Sequence, residues 1–167
     1  EKLCEMGCDV IFYPRLTWNL NEHDSDNHYN CPVVAYYSEL LRGNMNCLRD
    51  RYFMFPYLSL DSKRQLVNAL MREFGRRFTD IKRAEVRRAV DEGFRMYNEY
   101  MKKISDAGEA ALRYADEHGK QVMILAGRPY HADPEIGHGI DKLAVSLGFV
   151  VVSEDSVYHL AKTPDVH

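Results

Sequence analysis

Imidazole, carboxylate and thiol groups crowd into one stretch, Glu22-His23-Asp24-Ser25-Asp26-Asn27-His28-Tyr29-Asn30-Cys31-Pro32. Pro32 suits the first turn of a helix, where its missing N–H leaves nothing unpaired, so a helix expected over Pro32 to Leu41 would begin beside Cys31. Free N–H groups at a helix start lower the pKa of a thiol and favour the thiolate that binds iron or zinc. Three readings of the stretch stand open. Cys31 packs as a small hydrophobe beneath a solvated connection; or it is one ligand of an iron–sulfur cluster whose other thiolates lie elsewhere; or His23, His28 and Cys31 hold a divalent metal such as zinc, at a spacing unlike that of the zinc fingers.

A second candidate is Gly127-Arg128-Pro129-Tyr130-His131-Ala132-Asp133-Pro134-Glu135-Ile136-Gly137-His138-Gly139, which follows an apolar run and precedes a helix. Glycine and proline shape the backbone there, while Arg128, His131 and His138 supply donors suited to phosphate or carboxylate. With Tyr130 they form the candidate cofactor-binding set. The opposing reading has Arg128 paired with Asp133 to brace the turn and the histidines capping the next helix. The segment matches neither a Walker loop nor the glycine pattern of a dinucleotide fold.

Four cysteines, Cys4, Cys8, Cys31 and Cys47, all fall in the first third of the chain, which is not the distribution of a disulfide framework. Cys4 and Cys8 stand one helical turn apart, but Cys8 falls at an apolar position and reads as core packing. Cys47 has no partner at a matching spacing and receives no role.

These loops need elements to hold them. Glu1 to Gly7 reads as a helix tail and Asp9 to Tyr13 as a buried strand ended by Pro14, with a polar loop over Arg15 to Asn30. Val34, Tyr37, Leu40 and Leu41 mark the expected inward face of the helix from Pro32. Tyr52 to Pro56 is a second strand. Asp61 and Ser62 can cap a helix running to about Phe78, with Leu66, Ala69, Leu70 and Phe74 inward. Ile81 to His118 predicts one long helix, with a break allowed near Gly108 and Gly119 as its terminator. A strand over Gln121 to Ala126, a helix over Ile136 to Ser146 and a strand over Phe149 to Val152 complete the series. The alternation predicts an α/β protein: two partial three-layer lobes with parallel strands, residues 1–80 and 119–167, joined by a long helix over 81–118. In parallel sheets ligands bind beyond the carboxyl ends of strands, so the loops after Tyr13 and Ala126 are expected to face one crevice.

An apolar fraction of 46% with 28% charged residues fits a folded globular chain rather than a disordered one. A net charge of −3 gives no electrostatic reason to bind nucleic acid or an anionic membrane. No apolar run reaches the ~18 residues of a membrane span, and no secretory signal is visible. Both ends look cut, which suggests a fragment of a longer polypeptide.

Ser25-Asp26-Asn27-His28-Tyr29 leading into Asn30-Cys31-Pro32-Val33-Val34, and Gly127-Arg128-Pro129-Tyr130-His131 continued by Asp133-Pro134-Glu135 and His138-Gly139, resemble the signatures of the 2-hydroxyacyl-CoA dehydratase activase-related proteins, also called CoA-substrate-specific enzyme activases. The resemblance implies a cytoplasmic component of a system in which an ATP-hydrolysing activator passes one electron to a dehydratase that acts on a CoA thioester. It implies Cys31 as ligand of a 4Fe-4S iron–sulfur cluster and the Gly127 to His138 loop as lining of a cleft. Implied partners are the remainder of a longer chain and an ATPase activator module or dehydratase subunit. The sequence departs from that pattern at Arg15, where a second cysteine is expected, and carries no ATPase motif.

Overall fold

Pro14 and Pro56 occupy matched positions in two extended segments, and the path of the chain through them organises the first part of the fold. The computed structural model describes residues 1–20, 27–127, 129–133 and 135–161. The chain divides into two units, Glu1–Phe94 and Arg95–His167.

The first unit contains α1 (Lys2–Glu5), β1 (Val10–Phe12), β2 (Arg15–Trp18), α2 (Pro32–Asn44), a 3-10 turn (Asn46–Leu48), β3 (Tyr52–Met54), β4 (Tyr57–Ser59) and α3 (Lys63–Phe74). β1 pairs with β3 and β2 with β4, all parallel. The same register carries from Val10 opposite Tyr52 to Leu16 opposite Leu58, and it shifts by one residue at Trp18, which stands opposite Ser59. Tyr13 N–H donates to the Met54 carbonyl at 2.8 Å and Arg15 N–H to the Pro56 carbonyl at 2.9 Å. β1 and β3 end ahead of the prolines, as their type suggests, but parallel pairing resumes beyond them in β2 and β4. N–H groups alternate sides along a strand, so the donor that Pro14 lacks would have pointed away from the partner. The segment expected as loop after Pro14 thus begins with a strand.

α2 buries Ala35 and Ser38, whereas Val34 is 50%, Tyr37 43% and Leu40 56% exposed. The expected inward stripe faces outward, apart from Leu41, which packs on the cluster of Ile11, Leu48 and Phe53. Small side chains let the helix approach β2 closely, and that close contact took precedence over the larger apolar face. Cys8 packs on the same cluster, as its position predicts.

Ser62 caps α3 by accepting the Gln65 N–H at 3.4 Å. α3 ends at Phe74, short of Phe78. Its Leu66 and Val67 form a core with Leu58 and with Val86 and Val90 of α4 (Arg83–Glu117), and Ala69, Leu70 and Phe74 pack at the margin. Each such aliphatic side chain contributes about 1.5–3 kcal/mol on burial. At the start of α4 the Glu85 carboxylate accepts the Lys82 N–H at 2.8 Å, an arrangement like that of a capping box.

The boundary between the units falls within α4. In the second unit α4 continues unbroken through Gly108, because the missing side chain there admits the backbone of Ser156. Gly119 ends the helix in the left-handed conformation at φ 59°, and Lys120 N–H donates back to the Ala115 carbonyl at 2.8 Å. β5 (Val122–Leu125) follows, then a 3-10 turn (Pro129–Ala132), α5 (Ile140–Ser146), β6 (Val150–Ser153), α6 (Glu154–Val157) and a last 3-10 turn (Tyr158–Leu160). α5 begins one turn later than the apolar pattern suggests, because Asp133 Oδ1 accepts the N–H groups of Glu135 and Ile136 and holds a turn there instead. β5 and β6 pair in parallel from Val122 with Val150 to Leu125 with Ser153. The α/β class and the parallel pairing hold in both units. Among the described residues no helix is long and apolar enough to cross a membrane.

Candidate functional site

The carboxyl ends of β5 and β6 open into a cleft of about 450 Å³. Its walls are Leu125, Ala126, Ile136, Ile140, Val151 and Val152, and the carboxylates of Asp133, Asp141, Glu154 and Asp155 surround them. This is where a parallel sheet leaves room for a ligand, since both strands end there and their following loops diverge. The loop from Gly127 supplies one rim. Gly127 N–H donates to Glu154 Oε2 at 3.3 Å, which ties that loop to the start of α6.

Of the residues expected to contact a cofactor, His138 lines the cleft and sits in the left-handed region at φ 49°. Tyr130 lies in the 3-10 turn and is 54% exposed. Arg128 and the His131 side chain lie outside the described residues. Gly139, rather than a histidine, is the N-cap residue of α5. The loop pattern gave no hint of Glu154 and Asp155. The signal available was the strand-end rule applied to β6 as well as to β5, because both acids directly follow Ser153.

In the first unit the segment after β2 returns antiparallel to it. Trp18 bridges to Tyr29, Asn19 N–H donates to the His28 carbonyl at 2.8 Å, and Asn30 donates through its backbone to Thr17 and through Nδ2 to Leu16. Those bonds deliver Cys31 to the N-cap of a 13-residue helix, and its carbonyl accepts the Ala35 N–H at 3.0 Å. The Cys31 thiol is exposed. The His28 ring lies edge-on to Trp18 at 6.2 Å, and His23 lies outside the described residues. Among the described residues no three metal-ligating side chains converge. Cys31, exposed at a helix start, has the donor chemistry of a metal ligand.

Arg15, at the position where the resemblance calls for cysteine, has a structural task. Its guanidinium lies 3.4 Å from the Tyr57 ring centre and pairs with Glu39 of α2, while the Tyr57 hydroxyl donates to Glu39 Oε1 at 2.8 Å. The Glu39 hydrogen bond raises the Tyr57 pKa, burial adds to the rise, and Arg15 opposes it.

A second depression, of about 570 Å³, lies in the first unit between Phe12, Phe74 and the start of α4. Its lining is mostly core side chains, and the Glu85 carboxylate at its edge is engaged by Lys82.

Parallel strand pairs, with a cleft at the carboxyl ends of β5 and β6, define an α/β domain. The chain belongs to the family described as CoA enzyme activase uncharacterised domain (DUF2229), whose sequence profile matches residues 1–157. No curated protein and no solved structure matches it.

Proposed function

We propose that this domain recognises a CoA thioester within a 2-hydroxyacyl-CoA dehydratase or activase system, with the acyl and pantetheine end held in the cleft beside β5 and β6. The lining of that cleft carries the reading. Apolar walls suit a methylene-rich arm, and the acidic residues in the lining offer acceptors for its amide N–H and hydroxyl groups. The same carboxylates repel phosphate. The nucleotide end is assigned to the hydrogen-bond donors of the Gly127 to His138 loop, namely Arg128, Tyr130, His131 and His138.

Cys31 is assigned one thiolate of a four-iron cluster that is completed by thiolates from a dehydratase subunit or another part of a longer chain. Such a cluster, when bound, supplies one-electron transfer. Two observations support this: the thiol is exposed at a helix start, and Val33, Val34, Tyr37 and Leu40 beside it form an apolar face open to a partner surface. A cytoplasmic location accords with such chemistry.

Calorimetric titration with a 2-hydroxyacyl-CoA and with free CoA tests the cleft. Ala126→Trp fills it and should weaken thioester binding by at least about tenfold, or 1.4 kcal/mol. Unchanged affinity in that variant, or no thioester binding by the wild type, would end the proposal. For the metal, anaerobic protein purified with its partner should lose iron when Cys31 becomes serine, and unchanged iron content would remove Cys31 from the ligand set.

A further inference from the structure

Cys4 and Cys47 stand 43 positions apart in sequence and meet in the first unit. The Cys4 thiol donates to the Cys47 carbonyl at 3.6 Å. Interaction with the Cys4 side chain, with burial as the second cause, raises the pKa of the Cys47 thiol. Both side chains are half-buried against the cluster of Ile11, Leu48 and Phe53. Arg51 fastens the same corner, donating to the Cys4 carbonyl at 3.4 Å and pairing with Asp9 at 3.7 Å. The thiols are thus free, adjacent, held by their surroundings and partly open to solvent.

We propose that Cys4 and Cys47 form a reversible disulfide, a redox modification site that fastens α1 to the 3-10 turn before β3. The oxidant is a hydroperoxide such as hydrogen peroxide. In the first step the Cys4 sulfur attacks the peroxide; an S–O bond forms, the O–O bond breaks, and water leaves with the thiol proton, giving a sulfenic acid. In the second the Cys47 sulfur attacks the Cys4 sulfur; the S–S bond forms, the S–O bond breaks, and hydroxide departs with the Cys47 proton as a second water. Two electrons leave the thiol pair and reduce one peroxide. A small dithiol reverses the change by thiol exchange.

The test is peptide mapping of the purified chain after equimolar hydrogen peroxide, with remaining thiols alkylated under denaturing conditions. A Cys4–Cys47 cross-linked peptide is expected, together with a rise in Tm on the order of 10 °C that dithiothreitol abolishes. Cys8→Ser should keep the cross-link, and Cys47→Ser should lose both it and the Tm rise. A Cys4–Cys8 link, over-oxidised Cys4 with no link, or oxidation confined to Cys31 would each overturn the proposal.

Discussion

Gly108 offers the sharpest test of the packing described above. A Cβ added there would lie 2.1 Å from the Ser156 carbonyl oxygen, 2.7 Å from its carbon and 2.9 Å from its Cβ. Ordinary contact needs about 3.5 Å, so backbone in α6 would have to retreat by roughly 1 Å. That backbone has little freedom: Ser156 is buried and its hydroxyl donates to the Ser153 carbonyl at 2.7 Å. Overpacking against main chain belongs at the upper end of about 1–3 kcal/mol. Alanine returns about 1 kcal/mol of helix propensity. Gly108→Ala should therefore destabilise the second unit by about 2 kcal/mol, or on the order of 10 °C in Tm for a unit of this size. Gly93, on the same helix, has no atom within 4 Å of its would-be Cβ. Gly93→Ala should accordingly stabilise the first unit by about 0.5–1 kcal/mol. Hydrogen exchange resolved by peptide, with chemical denaturation, reads each unit separately. Equal or greater stability of Gly108→Ala, or the same sign for both variants, would refute the close approach of α4 and α6.

Two further outcomes follow from the α2 corner. Ser38 is fully buried and its hydroxyl has no hydrogen-bond partner among the described residues, so Ser38→Ala should raise stability by about 1 kcal/mol in urea denaturation; a loss would mean that the hydroxyl is bonded. Tyr57 has its pKa raised by Glu39, so the neutral phenol's contribution is whole below the unfolded value of 10.0 and disappears as pH climbs through the folded pKa. In a ¹³C titration of labelled tyrosines Tyr57 should deprotonate above the ordinary range, and Glu39→Ala should bring it down. An unmoved Tyr57 would discount the hydrogen bond.

Most elements were legible in the sequence because their signals are local. Ser62 before an apolar stripe marks the start of α3, and Gly119 marks the end of α4. Short apolar runs gave β5 and β6, and their alternation with helices gave the parallel pairing. The two candidate loops were found because their unusual residues are contiguous. The acidic side of the cleft was not, since Asp141, Glu154 and Asp155 join Asp133 only through the fold.

From its order of residues alone, the chain determined an α/β domain, the placement of its principal helices and strands, and its kinship with the CoA enzyme activases. Tertiary structure decided that strand pairing runs on past Pro14 and Pro56, that α2 turns Ala35 and Ser38 inward, that Gly108 admits a neighbouring backbone, and that Cys4 meets Cys47. The physical reason is common to all four. Periodicity and caps report on neighbours within a turn or two, whereas which apolar face is covered, and which thiol or carboxylate finds another, depends on contacts between segments distant in sequence.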